Sequence, residues 1–242
     1  MEQQRTESIR DKMVNTLKSL PPVTLGVVVV CCATFAVQVL AGIVLHLSIE
    51  SLGCLSPYQA VQKFQLWRVV THGLIHTSLA HLVLNSIAAV QLGYVVERKA
   101  GSKEAMVKIL GSALIIESLL YIAVSYGADG ILLLFGKHEE VSRHCVAGLS
   151  GVLFALLVLI SGPMPLDMDG VRNADKVSLY GLFGVPKFAV PWILLALIQI
   201  VLPQASLLGH LCGMVAGYVL MYSHADGVYF SSEREPLIVG VL

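Results

Sequence analysis

Charged residues are scarce in this chain. Only 13% of its 242 residues are charged, whereas 56% are hydrophobic, and the mean hydropathy is +0.77. Ordinary soluble domains carry about 25% charged residues. The composition therefore excludes an ordinary soluble globular domain.

The chain also lacks an excess of charge of either sign. Sixteen basic side chains balance sixteen acidic ones, so the formal net charge is zero. No basic field is available to attract nucleic acid. We therefore expect no nucleic-acid partner.

The five cysteines lack the spacing of a metal site. They occur at positions 31, 32, 54, 145 and 212, with no C-x-x-C pair and no Cys/His ligand pattern. We predict no metal and no cofactor. A disulfide between Cys54 and Cys145 is conceivable if both loops face an oxidising compartment, but the sequence gives it little support.

Long apolar runs dominate what is present. About 20 apolar residues cross a bilayer as a helix. Six stretches qualify, the later ones with polar interruptions: 23–47, 77–97, 104–125, 146–162, 187–203 and 205–223. The first is too long for a signal-peptide core and lacks an A-x-A cleavage site, so we take it as a true span.

The basic residues of the connections predict the orientation. Lys and Arg concentrate before the first span, between the second and third, and between the fourth and fifth. Cytoplasmic loops carry such an excess. The sequence thus predicts an all-α membrane protein with both termini cytoplasmic. Its six-span domain covers 23–223, between cytoplasmic tails 1–22 and 224–242.

Polar residues at membrane depth are the main functional signal, because they are costly in lipid. His81 and Asn85 lie one helical turn apart in the second span, Ser150 opens the fourth, and His210 lies in the sixth. All of these spans start on the non-cytoplasmic side, so the four residues share one layer near that surface. A serine, a histidine base and further donors suit acyl transfer. No Asp lies near this layer, so we expect a Ser–His dyad.

Other interpretations of these residues stay open. A membrane serine usually bonds only a backbone carbonyl, and a membrane histidine can be structural or relay protons. A metal or proton transporter would need carboxylates at membrane depth. Only Glu117 lies well inside a span. We expect Glu117 to face protein or water, either protonated or bonded to a hydroxyl on a neighbouring span.

Small residues recur every four positions on two spans. Such stripes let helix backbones approach closely in lipid. The sixth span carries Gly209, Gly213 and Gly217, and the fourth carries Ala147, Gly151 and Ala155. Ser150 and His210 each lie one residue from a stripe, so packing of the stripes would bring serine to histidine.

Three segments together resemble the rhomboid family. "HTSLAHLVLN" resembles its H-x-x-x-x-H-x-x-x-N pattern, "GLSGVLFAL" its nucleophile segment, and "GHLCGMVAGYVL" its base segment. "LWRVVTHGLIH" resembles the W-R that ends the family's first loop. The similarity covers about residues 20–223, in the family's order and spacing.

The resemblance implies an intramembrane serine protease that cuts transmembrane helices near their luminal end. Ser150 would be the nucleophile and His210 the general base, with His81, Asn85 and the Ser150 N–H forming the oxyanion hole. The supporting residues would be a structural His76, Gly148 in the turn before the serine, the packing glycines Gly151, Gly209 and Gly213, and Phe154. Phe154 stands where many bacterial members have Tyr, and we expect its ring to pack against His210.

Within the family, the chain most resembles the small eukaryotic rhomboids of the Golgi and endoplasmic reticulum, because its tails are short and its core has no seventh helix. The expected partners are transmembrane protein substrates and the bilayer, with no small-molecule cofactor. One alternative is a catalytically silent protein of this fold that binds membrane helices for trafficking or quality control. Another is a channel or transporter. Intact Ser150 and His210 argue against the first, and the lack of a carboxylate layer argues against the second.

Overall fold

The computed structural model describes residues 21–138, 140–161, 176–179 and 183–223. The predicted tails therefore lie largely outside the described residues. The helices in chain order are α1 (Pro22–Leu45), α2 (Ile49–Gly53), α3 (Pro57–Gln62), α4 (Arg68–Thr71), α5 (Leu79–Ala100), α6 (Lys103–Leu134), α7 (Ser150–Ser161), α8 (Val190–Val201) and α9 (Leu207–Ser223). Short 3₁₀ turns occupy His72–Leu74, Val141–Arg143 and Lys187–Ala189.

The long helices have the dimensions of membrane spans. Within the described ranges, α1, α5 and α6 are long and apolar enough to cross a bilayer. The helices α7, α8 and α9 are apolar too, but have only 12, 12 and 17 residues. The predicted helical membrane architecture is thus present, with three full-length candidate spans and three shorter helices.

Two predicted span boundaries are wrong. The third span does not end at 125, because α6 continues for 32 residues to Leu134; residues 131–134 are apolar and contain no helix breaker. The fourth does not begin at 146. Gly148 has φ +118°, which no α-helix permits, so α7 starts only at Ser150.

The expectation of an all-α fold also needs one correction. A two-stranded antiparallel hairpin, β1 (Lys176–Leu179) and β2 (Phe183–Pro186), lies between α7 and α8. Lys176 pairs with Pro186 and Leu179 with Phe183. The hairpin belongs to a connection between helices, where the apolar-run analysis makes no prediction.

The core is organised around α7. Nearly all of its side chains are buried, as expected for a helix that is apolar on every face. It packs most extensively against α9 and also contacts α5, α6 and α8. A residue at the start of α7 is therefore surrounded by the other helices.

Candidate active site

The structure brings the predicted serine and histidine together. Ser150 is the first residue of α7, and His210 lies in the first turn of α9. The His210 Nε2 atom is 2.9 Å from the Ser150 Oγ atom, a normal hydrogen-bond distance. His210 is buried. A neutral imidazole nitrogen in this position can accept the serine proton.

Backbone contact between α7 and α9 produces this approach. A Cβ atom added at Gly213 would overlap the backbone carbonyl of Gly151, and one at Gly217 would come within 2.7 Å of the Ala155 oxygen. The predicted stripe contact is confirmed at these two pairs. Because Gly213 and Gly217 have no side chain, the helices come close enough for the reactive side chains at the rim of the contact to meet.

The prediction that both stripes touch along their whole length is wrong at their outer ends. Ala147 precedes α7 and lies in the loop. A Cβ atom at Gly209 would meet only Ser206 and no residue of α7. Ala147 and Gly209 instead line the cavity beside Ser150.

Phe154 packs against the imidazole of His210, as the sequence predicts. The ring centroids are 4.8 Å apart, with 36° between the ring planes. Among the described residues, the His210 Nδ1 atom has no hydrogen-bond partner. Ring packing, and not a carboxylate, therefore orients this histidine in the structure.

His81 and Asn85 border the turn before the serine. A Cβ atom at Gly148 would lie 2.6 Å from the His81 ring and 3.4 Å from Asn85 Nδ2. Glycine is thus required at 148 both by its positive φ and by the neighbouring side chains. The buried Asn85 Nδ2 donor has no partner within the described part of the chain.

The contact between His81 and Thr77 is compatible with a ring proton on Nε2. Thr77 Oγ1 lies 3.2 Å from His81 Nδ1. If the hydroxyl donates this hydrogen bond, Nδ1 accepts it and the ring proton resides on Nε2, beside Gly148. His81 can then donate toward the cavity.

His76 is fully buried beside His81. The two ring centroids are 5.1 Å apart in an edge arrangement. The His76 Nδ1 atom donates to the Leu74 carbonyl, and the backbone of His76 pairs with the Gln38 side chain. Burial, with a smaller contribution from His81, lowers the pKa of His76 to about 4. The ring is therefore neutral at neutral pH and supports the turn before α5.

Glu117 faces the protein interior, as predicted, but its partner is not a hydroxyl. The side chain is buried, and Oε1 lies 3.2 Å from His72 Nε2. The carboxyl group also lies directly over Gly151. Sequence reasoning missed both contacts, although His72 lies in the same histidine-rich segment as His76.

A disulfide joins the two loops beside the site. Cys54 and Cys145 are bonded, with Cα atoms 5.7 Å apart. An antiparallel bridge between Leu55 and Val146 reinforces the link. Little in the sequence supported this pairing, so its presence corrects the expectation.

One cavity connects these groups. Its volume is about 260 Å³, and its lining includes Ser150, His210, His81, Gly148 and Glu117. Gly213 and Phe154 support the site from outside the lining. The cavity thus offers a hydroxyl beside a base, with further polar side chains around it.

Comparison with known proteins identifies the family. The rhomboid domain model matches residues 63–226. Rhomboid-like protein 15 of Arabidopsis thaliana is 30% identical over 207 residues, which is 84% of this chain and 47% of that protein. Rhomboid-like protein 14, mitochondrial, of the same plant is 30% identical over 187 residues, 76% of this chain and 50% of that protein.

A bacterial relative is also similar. Rhomboid protease GlpG of Yersinia pestis is 26% identical over 215 residues, covering 88% of this chain and 66% of that protein. The chain thus spans about half to two thirds of the length of these relatives. Because the family model matches more than half of it, this chain belongs to the rhomboid family.

Proposed function

We propose that the protein is an intramembrane serine endopeptidase that cuts transmembrane helices of single-span membrane proteins. The observation that carries the proposal is the 2.9 Å contact between His210 Nε2 and Ser150 Oγ in a cavity of a rhomboid-family membrane protein. A serine that lines a cavity beside a buried histidine base is the minimal arrangement for acyl transfer.

In the proposed reaction, His210 takes the proton of Ser150 as Oγ attacks the carbonyl carbon of the substrate. The tetrahedral intermediate collapses when the protonated His210 gives that proton to the leaving amide nitrogen. This step breaks the peptide bond and leaves an acyl ester on Ser150. Water then attacks the ester while His210 takes a proton from it. The ester bond breaks, the acyl fragment leaves as a carboxylic acid, and His210 returns the proton to Ser150 Oγ.

The proposed oxyanion hole lies beside the start of α7. The first N–H groups of a helix lack intrahelical acceptors and carry the positive end of the helix dipole. The Ser150 N–H is such a group, and Asn85 Nδ2 and His81 Nε2 lie beside the adjoining turn. Donors held in place before the reaction stabilise the developing negative charge.

The position of the site predicts where a substrate is cut. Ser150, His210 and His81 all lie within the first turns of their helices. Under the proposed topology of six spans with cytoplasmic termini, this end of the bundle faces the lumen. Cleavage is therefore proposed near the luminal end of the substrate helix. The proposed catalytic domain covers 23–223.

The disulfide supports a secretory-pathway location. Disulfides persist in oxidising compartments such as the endoplasmic reticulum lumen. The Cys54–Cys145 bond lies at the site end of the bundle. We therefore propose the Golgi or endoplasmic reticulum membrane, although one relative is named as mitochondrial. In isolated organelles, Cys54 and Cys145 should react with an alkylating reagent only after reduction.

Reconstitution tests the proposed activity. The full chain is placed in liposomes with a panel of single-span membrane proteins, and the products are separated by mass. We expect fragments cut near one end of the transmembrane segment with the native protein and none with Ser150→Ala. If the native protein captures members of the panel but cuts none, it is a non-catalytic binder of membrane helices.

A further inference from the structure

Glu117 is a buried acidic residue that the proposed dyad does not use. It lies in the middle of α6, and its side chain is 6% exposed. The residue lines the same cavity as Ser150. A carboxyl group buried in a membrane protein is costly to retain, so its contacts indicate its role.

The first contact of Glu117 is a hydrogen bond with His72, and the neighbours of His72 indicate which group donates it. His72 Nδ1 lies 3.0 Å from the carbonyl oxygen of Arg68, and a carbonyl can only accept, so Nδ1 carries hydrogen. In a neutral imidazole, Nε2 then has no hydrogen. The 3.2 Å contact between Nε2 and Glu117 Oε1 is therefore a hydrogen bond when the carboxyl group is the donor.

The other carboxyl oxygen favours this neutral form. Among the described residues, Glu117 Oε2 has no hydrogen-bond partner. An unpartnered anionic oxygen costs more in a buried site than the carbonyl oxygen of a neutral acid. The neutral acid and neutral imidazole also bury no formal charge, whereas the ion pair would bury two.

The second contact of Glu117 is with the helix that carries the nucleophile. A Cβ atom at Gly151 would overlap Oε2 and lie 2.7 Å from the carboxyl carbon. The carboxyl group thus fills the space that a side chain at 151 would need. It packs on the residue that immediately follows Ser150.

His72, the partner of Glu117, also contacts the turn that precedes α7. The backbone N–H of Gly148 donates to the carbonyl oxygen of His72 at 2.8 Å. Glu117 therefore supports residues 148–151 at both ends, through His72 at Gly148 and directly at Gly151.

We propose that Glu117 is a positioning residue: it donates a hydrogen bond to His72 and packs on Gly151, and so holds Ser150 Oγ at hydrogen-bond distance from His210. This inference rests on the proposed protease function. A nucleophile displaced by about 1 Å can lose roughly 10²-fold in rate. The role requires a donor and the shape of the side chain, but not a negative charge.

Two substitutions of similar size separate these requirements. In Glu117→Gln, the amide N–H can still donate to His72, so kcat should stay within about threefold of the native value. In Glu117→Met, the volume remains but the donor is lost. We expect kcat to fall roughly 10²-fold with KM unchanged, because the proposed role of Glu117 is to position Ser150 and not to hold the substrate.

Labelling of Ser150 by a fluorophosphonate gives a second measurement, expressed per folded molecule. The labelling rate of Glu117→Met should fall in proportion to kcat, which a loss of stability alone would not produce. Glu97→Met is the matched control, since Glu97 is a buried glutamate in α5 outside the cavity lining. Folded Glu97→Met should label at nearly the native rate.

Three results would overturn the role of Glu117. The first is a folded Glu117→Met protein with native kcat and a native labelling rate. The second is a Glu117→Gln protein whose kcat is as low as that of Glu117→Met. The third is a Glu117→Met, His72→Phe double variant whose fold-reduction in kcat equals the product of the two single reductions. If Glu117→Met does not fold, His72→Phe breaks the same hydrogen bond and should show the same loss of kcat. Failure of the native protein to cleave or label would instead overturn the protease function, and the role of Glu117 with it.

Discussion

Two buried glutamates differ in their surroundings: Glu97 lies beside the first turn of α1, and Glu117 lies beside the active-site cavity. Glu97 accepts three hydrogen bonds from the first turn of α1: from Val23 N at 3.0 Å, Thr24 N at 2.8 Å and Thr24 Oγ1 at 2.8 Å. Helix α1 has no side-chain cap of its own, so Glu97 satisfies its free amides from a neighbouring helix. Glu117 makes one hydrogen bond through Oε1, and its Oε2 lacks a partner among the described residues.

Several other polar atoms around the site also lack hydrogen-bond partners within the described ranges, unlike the oxygens of Glu97. In the described part of the chain, His76 Nε2, Asn85 Nδ2 and His210 Nδ1 are also buried without partners, and all belong to the site end. Buried polar groups are normally satisfied, and the exceptions concentrate where a protein gives up stability for function. The oxygens of Glu97 are thus satisfied, whereas several of the described polar groups around Ser150 are free to bind the proposed substrate.

The largest expected effect is at the dyad. Ser150→Ala and His210→Ala should each lower the cleavage rate by about 10⁴-fold or more, and the double variant should lose little beyond either single one, because the two residues act as a unit. The rates are measured in liposomes with one single-span substrate. A single variant that keeps a tenth of the native rate would contradict the dyad.

The next largest effect is expected at the helix contact. Gly213→Leu should lower the rate by more than about 10²-fold, because the new side chain has no room against the Gly151 backbone and must push α7 away. Leu211→Ala, on another face of α9, is the control and should be milder. Both proteins must first be shown to insert and accumulate. Native cleavage by a well-folded Gly213→Leu would mean that helix proximity does not bring serine to histidine.

The proposed oxyanion donors should have intermediate effects. His81→Ala and Asn85→Ala are each expected to slow cleavage by roughly 10²-fold, the scale for one lost donor. Labelling of Ser150 should remain detectable in both, since the dyad is intact. Full cleavage rates in either variant would remove that residue from the oxyanion hole.

The smallest effect on catalysis is expected at Glu97. Glu97→Gln should lower the free energy of unfolding by about 2 kcal/mol, because hydrogen bonds to a charged acceptor are lost. The kcat of the folded protein should change by less than about twofold, since the cap of α1 is remote from Ser150. Thermal unfolding and initial rates on the same sample measure both quantities. A large fall in the kcat of Glu97→Gln with an unchanged free energy of unfolding would show that Glu97 acts on catalysis and not on stability, contrary to this prediction.

Sequence reasoning predicted the features that depend on local spacing. The two stripes follow from a four-residue repeat, although their pairing, Gly213 with Gly151 and Gly217 with Ala155, was seen only in the structure. The packing of Phe154 on His210 follows from its place one turn after Ser150. The membrane character and the long helices follow from apolar runs. That the fourth and sixth spans meet was predicted from the shared depth of their polar residues and from the resemblance to the rhomboid family.

Contacts between distant segments were not predictable in the same way. The disulfide links positions 91 residues apart, and nothing in the spacing says which two of five thiols meet. His72 and Glu117 are 45 residues apart on different elements, so no helical period pairs them. The late start of α7 was missed because Gly148 interrupts a run that is otherwise apolar.

Covalent labelling tests the central claim, that His210 activates Ser150 in a membrane-embedded site. The full chain in liposomes is treated with a fluorophosphonate, digested, and mapped by mass spectrometry. We expect one adduct, at Ser150, which is absent in Ser150→Ala and nearly absent in His210→Ala. An unlabelled Ser150 in folded native protein, or equal labelling in His210→Ala, would contradict it.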